Sequence, residues 1–371
     1  MIKRVETKAQ LKEFVHFPHK LYHNDSAYVP QLNIVQMNFL SSKNPFFKHS
    51  DAQYFLAYEN GEVVGRIAAI VNRKHLEKYN DQTGFFGFFD VYDNPTISKL
   101  LLDQATEWLK KQQIKLVVGP ENFTTNDSCG ILVDGFQEPP VLMMPYNKQY
   151  YKKLLLDYGF QSLTELYQYR ICSNEWGKLF YNQLLLLQER LKISGITVRF
   201  LNMKKLDGEL KILRYLYNES NEDNWGFVPL TEQEFHYMAQ GLKKIAERES
   251  LLIAEKDGQP IGYMISLPDF NMVFKKIRNG KLTIGGLYHL ISWKKIVDKI
   301  RLMILGVLPE FRKKGVDGIL YLHLYNYIKK RNLNYAEICY VMEQNSSVLQ
   351  LLNHLQAERV KTYQLMRLYI H

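Results

Sequence analysis

Residues 304–318, ILGVLPEFRKKGVDG, hold the arrangement with the clearest chemical use. An apolar run ends at Leu308, Pro309 stops the strand, and Arg312, Lys313, Lys314 and Gly315 lead into a helical pattern. Strand, basic glycine-bearing turn and helix N-terminus together make a device for anions. The first-turn N–H groups lack partners, and the helix dipole adds about half a positive charge. Glycine lets a phosphate come close to the backbone. The segment contains neither G-x-x-x-x-G-K-[ST] nor G-x-G-x-x-G, so it is not one of those nucleotide loops. A plain strand-to-helix turn with solvated lysines is the competing reading.

Composition narrows the partners. Of 371 residues, 46% are hydrophobic and 23% charged, the balance of a globular chain with about two domains. Basic residues number 48 against 38 acidic, a net charge of +10, and nearly all the excess lies beyond Ser173. Residues 275–331 alone hold 14 basic and 3 acidic side chains. Such a region suits nucleic acid, an anionic membrane surface or a phosphate-rich small molecule. No helix-turn-helix, RNP-like or basic-arm signature is present, which counts against nucleic acid. Cys129, Cys172 and Cys339 are scattered, no histidine pair has metal-ligand spacing, and no serine or cysteine sits in a nucleophile motif. Neither a metal nor covalent hydrolytic chemistry is therefore expected. No stretch reaches the ~20 apolar residues of a membrane span, and the N-terminus lacks a signal-peptide pattern, so a cytoplasmic location is expected.

Two α/β units must position these residues. In the first, a helical pattern over residues 8–22 precedes YFLAY (54–58), the turn ENG and VVGRIAAIV (63–71), which read as a hairpin. GFFGFFDVY (84–92), a helix over 98–112, KLVVG (115–119), a helix near Tyr150 and the closing strand LTELYQYRI (163–171) complete it. The second half repeats the order with LLIAE (251–255), the turn KDG, QPIGYMISL (259–267) and the buried run IRLMILGVL (300–308). A helix over 315–331, a strand over 335–341, a helix over 346–355 and a last strand over 360–370 follow. Apolar spacing over 176–193 reads as a connecting helix, which gives a division into 1–173, 174–195 and 196–371. That connection has no Pro- or Gly-rich break, and its leucines at 184–187 need burial, so the halves are expected to pack as one.

With the elements in place, residues 304–318 resemble the acyl-CoA-binding loop of the GNAT acyltransferase superfamily, [RQ]-x-x-G-x-[GA] after a strand bearing V-x-P-x-x-R. Val307, Pro309, Arg312 and Gly315 match, while Asp317 replaces the last small residue and Gly318 follows one position on. NEDNWGFVPLTEQEF (221–235), GPENFTTNDSCGILVDGF (119–136) and PPVLMMPYN (139–147) are similar to a tandem GNAT group that includes some bacterial ceramide synthases. The resemblance implies an α/β fold of two tandem GNAT-like domains, each a mixed central sheet flanked by helices. The first is degenerate, since its strand reaches its helix through DNPTIS (93–98) without R-x-x-G.

The resemblance also implies a co-substrate, acetyl-CoA or a longer acyl-CoA. Leu305, Val307, Arg312 and Lys313 would hold it, with Lys314, Gly315, Gly318 and Asn345. The implied activity is N-acyl transfer to a small-molecule amine or a lipid amine such as a sphingoid base. Glu343, just past a strand, is the candidate base, and the usual general-acid tyrosine position is Leu352. Glu222, Asp223, Asn224 and Trp225 are expected at the acceptor, with Asn126 and Asp127 lining a cleft between the halves. The alternative is a non-catalytic CoA- or nucleic-acid-binding regulatory protein on the same fold. An insertion over 270–300 carries Phe274, Leu287, Leu290, Ile291, Trp293 and Ile296 among lysines. That is the make-up of a surface-lying membrane helix, which would give peripheral contact with an anionic membrane, but a lid packed on its own domain is the favoured reading.

Overall fold

The structure, a computed structural model, describes residues 1–173 and 177–371; the first residues of the expected connecting segment, 174–176, lie outside them. The chain begins β1 (Ile2–Arg4), α1 (Lys8–Leu21), α2 (Asn33–Phe39), β2 (Asp51–Glu59), β3 (Glu62–Val71) and α3 (Arg73–Tyr79). It continues with β4 (Thr83–Val91), α4 (Pro95–Lys111), β5 (Leu116–Gly119), β6 (Ile131–Asp134), α5 (Tyr151–Tyr158) and β7 (Gln161–Cys172). After α6 (Lys178–Ile193) come β8 (Ile196–Phe200), α7 (Leu206–Asn221), α8 (Glu232–Lys243), β9 (Leu251–Lys256) and β10 (Gln259–Pro268). The short helices α9 (Asn271–Phe274) and α10 (Ile284–Ile291) lead to β11 (Lys299–Val307) and α11 (Val316–Arg331). The chain ends with β12 (Tyr335–Met342), α12 (Ser346–His354) and β13 (Glu358–Tyr369).

Both expected hairpins form, and their turns show why. Asn60 and Gly61 between β2 and β3, and Asp257 and Gly258 between β9 and β10, are left-handed pairs with φ of 51°, 82°, 48° and 81°. Asn-Gly and Asp-Gly tolerate that conformation, and its twist matches the strands on either side.

Two compact units result. The first comprises Met1–Leu166, Asn271–Trp293 and Lys361–His371, and the second comprises Tyr167–Phe270 and Lys294–Val360. In the first, the strand order is β1-β2-β3-β4-β5-β13, with β6 beside β13. Alternation along β3 sends Ile67, Ala69 and Val71 to a core under α4 and α5. Ala68 and Ile70 go to the opposite core, with Phe14, Phe46 and Phe123. In the second unit the order is β7-β12-β11-β10-β9-β8. One face packs on α11 and α12, and the other packs on α7 and Phe235 of α8. Each unit is a mixed sheet with helices on both faces.

The closing strands differ from the order expected. β13 runs antiparallel to β5, from Met366 opposite Gly119 to Tyr369 opposite Leu116, and so completes the first unit's sheet. In the second unit Gln168 and Arg170 of β7 bond the carboxylate of Glu337 on β12 at 3.0 and 2.8 Å. A cut after Ser173 therefore does not separate the compact units. Alternation identifies a strand but not its neighbour. Most of the insertion, Asn271–Trp293, likewise belongs to the first unit. Asn271 Nδ2 donates to the Pro140 carbonyl at 2.9 Å, and Asn33 Nδ2 to the Asn279 carbonyl at 2.8 Å.

Candidate functional site

In the second unit β11 runs parallel to β12 from Lys299, opposite Tyr335, to Leu302, opposite Ile338. Beyond that pairing Met303, Ile304 and Leu305 are half-buried, between buried residues on either side. The β10 register shifts here, with Ile265 opposite Ile304 and Ser266 opposite Leu302, which leaves Met303 as a bulge. A strand that leaves its parallel neighbour midway offers backbone donors and acceptors to an extended ligand.

The turn that follows gathers positive charge at the head of a helix. A single 3₁₀ turn, Pro309–Phe311, precedes exposed Arg312, Lys313 and Lys314. Lys313 and Gly315 are left-handed, with φ of 60° and 85°. Gly315 is the N-cap of α11, and no side chain caps that end. First-turn N–H groups beside three cations fit a diphosphate-bearing ligand, although Asp317 in the same turn carries the opposite sign. Arg312 acts chiefly as a brace. Its Nε donates to the Val307 carbonyl at 3.3 Å and its Nη2 to the Ser220 carbonyl at 3.0 Å, with Nη1 3.5 Å from Asp223. It thus ties the turn to the end of α7 and to the segment expected at the acceptor. The two glycines serve packing as well. A Cβ on Gly315 would sit 2.8 Å from Leu187 of α6, and one on Gly318 would sit 2.7 Å from the same side chain. The structure thus places Gly318 against α6.

The corresponding place in the first unit is filled. β4 is buried at every position. The Phe86 carbonyl accepts from the Glu121 N–H at 2.7 Å, and the Phe88 N–H donates to Asn122 Oδ1 at 2.8 Å. At the head of α4 the Asn94 side chain accepts from Thr96 and Ile97 N–H at 3.1 Å each, and Pro95 has no N–H to offer. An anion there would have to displace a bonded carboxamide. The Asn-Pro signal for this cap stands in the sequence, as part of the DNPTIS that lacks R-x-x-G.

Glu222, Asp223, Asn224 and Trp225 form an exposed loop between α7 and α8. Behind it lies a buried polar cluster that the sequence reading did not single out. Asn224 Nδ2 donates to Asn221 Oδ1 at 2.7 Å, and Asn221 Nδ2 donates to the Tyr263 hydroxyl at 3.2 Å. Tyr263 stands opposite Gly306 of β11, where any Cβ would overlap Ser220 and the Tyr263 ring. Burial pushes the Tyr263 phenol up, so it stays protonated. Glu343 is exposed just after β12, and Gln344 Nε2 donates to it at 3.2 Å. Asn345 caps α12 by accepting the Val348 N–H at 3.3 Å, and Leu352 is buried in the core.

Asn126 and Asp127 belong to the first unit, not to the unit that holds the Arg312 turn. Thr124 Oγ1 donates to Asp127 at 3.0 Å and accepts the Asn126 N–H at 3.2 Å. Beneath them Glu121 is 2% exposed, and burial, aided by Asp127, raises its carboxyl to about 8. Among the described residues no three His, Cys, Asp or Glu side chains are grouped as a metal site, and no helix is long and apolar enough to cross a membrane.

The two mixed sheets, each flanked by helices, have the fold of tandem GNAT proteins. A tandem GNAT protein from the clavulanic acid biosynthesis pathway superposes with a TM-score of 0.60 at 11% identity, covering 100% of this chain and 98% of that one. A GCN5-related N-acetyltransferase from Sphaerobacter thermophilus gives 0.53 at 13% identity, with 100% and 95% covered. No family model matches the chain. Protein YghO of Escherichia coli (strain K12) is 30% identical over 371 residues, 98% of this chain and 94% of the relative. Bacterial ceramide synthase of Caulobacter vibrioides (strain NA1000 / CB15N) is 29% identical over 370 residues, 97% and 94% respectively. The chain belongs to the family of Protein YghO.

Proposed function

We propose that the second unit transfers an acyl group from acetyl-CoA or a longer acyl-CoA to an amine, and that the amine is a lipid such as a sphingoid base. One contrast carries the reading. β11 opens midway and α11 starts uncapped, where β4 is buried throughout and α4 is capped by Asn94. The co-substrate would supply a thioester that a nitrogen nucleophile can attack. The first-turn N–H groups of α11, with Lys313 and Lys314, would hold its diphosphate, and β11 around Leu305 and Val307 would take its amide arm. Glu343 is offered as the carboxylate that takes the ammonium proton. The new C–N bond forms as the C–S bond breaks, and sulfur leaves as the thiol. Exposed Trp225, with Glu222 and Asp223, offers an apolar surface and negative charge to a cationic amine. The relative named bacterial ceramide synthase, matching 97% of this chain, supports the lipid acceptor.

Thiol release from a series of acyl-CoA donors, with sphingoid bases and soluble amines as acceptors, tests this. The expected result is release that needs both substrates, with an amide seen by mass spectrometry. Glu343→Gln should lower kcat by about 100-fold with KM little changed. A wild-type protein whose melting temperature no acyl-CoA shifts would remove the donor, and amide formed only with soluble amines would remove the lipid acceptor.

A further inference from the structure

α10 turns its apolar side outward. Ile284, Leu287, Tyr288 and Ile291 share one helical face, and all are exposed, Ile284 by 90% and Ile291 by 83%. The inward side is glycine: Gly286 is buried, and a Cβ on it would lie 3.6 Å from buried Ile277. A helix that stabilises its own domain does the reverse. Of the apolar residues expected on this face, Leu287 and Ile291 are there, while Phe274, Leu290, Trp293 and Ile296 are half-buried. The segment is fixed in the first unit. Asn33 at the start of α2 holds the Asn279 carbonyl, and Gly280, with φ of 62°, lies too close to the Gln31 carbonyl for any side chain. Next to Asn33, Ile34 and Val35 are also exposed, so two linked elements present apolar side chains to solvent.

Charge identifies what covers them. Residues 271–293 carry exposed Lys275, Lys276, Arg278 and Lys281 and no Asp or Glu. A second copy across a two-fold axis would bring this cationic, carboxylate-free segment against the same segment of its partner. The core of a protein–protein interface is depleted of lysine. An apolar stripe with a cationic rim and no carboxylate suits anionic headgroups over acyl chains. We propose that this face seats the protein on an anionic bilayer, with Ile284 and Ile291 entering the acyl boundary and the four cations lying at the phosphates.

Flotation of the full chain with vesicles tests the proposal. Phosphatidylcholine vesicles should leave the protein behind, and vesicles that also contain phosphatidylglycerol should carry it upward at low salt and less so at high salt. Ile284→Glu with Ile291→Glu should reduce the bound fraction about tenfold or more, and so should Lys275→Glu with Lys276→Glu and Lys281→Glu. All five positions are exposed, so melting temperatures should hold, and transfer to a soluble amine should be unchanged, which separates this face from the acyl site. A wild type that floats with neither vesicle, or variants that float as the wild type does, would overturn the proposal. A wild-type dimer that the isoleucine variants dissociate would give the face to a second copy and overturn it equally.

Discussion

A buried carboxyl shows most directly how surroundings set behaviour at the residue scale. Glu121 Oε2 has no hydrogen-bond partner, and its burial raises the carboxyl from 4.5 to about 8. A raised folded value means that the protonated form is the one the fold accepts. That stability is fully present below about 4.5 and is lost as pH climbs through about 8. At roughly 1.4 kcal/mol for each pH unit between the two values, the loss is a few kcal/mol in order of magnitude. Glu121→Gln keeps the shape and cannot ionise. Its melting temperature should stay level across that window while the wild type's falls, and parallel curves would refute the assignment. Arg312 makes a second case. Arg312→Ala removes the brace to Ser220 and should weaken acyl-CoA binding about tenfold or more, read by calorimetry, with little change in melting temperature because the side chain is exposed. Arg312 and Gly315 were legible because turn chemistry is local. Their partners were not: Ser220 lies 92 residues from Arg312, and no spacing rule reaches that far.

Elements repeat the lesson one step up. The hairpins were readable because Asn-Gly and Asp-Gly specify their own turns. The strand and helix around Gly315 were readable for the same reason. Hidden from the sequence was the second duty of the glycines, which let α6 lie against the start of α11. Gly315→Glu would accordingly collide with Leu187 whatever it does to a phosphate, so it is a poor test of binding. Gly315→Ala is the better probe. Its left-handed φ and the contact 2.8 Å from Leu187 should together cost about 1–3 kcal/mol. Leu187→Ala in that background should recover the steric part and leave the strain, so a double-mutant cycle by denaturant unfolding should show coupling. Strict additivity would mean that α6 does not rest on the glycine. α10 was hidden differently: a helix with one apolar face reads alike whether that face turns inward or outward.

For the whole molecule, the division of the chain depends on strand pairing rather than on sequence order. Alternation found β7 and β13 as closing strands, but their register partners lie outside any local pattern. Met366–Tyr369 fill the edge of β5, and Thr362–Gln364 fill the edge of β6, so the first unit's sheet needs the last residues of the chain. Lys361 adds to the dependence, since it is 1% exposed and its ammonium donates to the Gly135 and Glu138 carbonyls within that unit. A chain ending at Val360 should lose all of these. The amides of β5 should then exchange hydrogen much faster, because an unpaired strand edge opens to solvent, and the exposed edge should favour aggregation. The amides of β9 and β10, paired with each other inside the second unit, should keep their protection. Unchanged exchange at Leu116–Gly119 in the shortened chain would mean that β13 is dispensable to the first unit, and the strand assignment would have to be withdrawn.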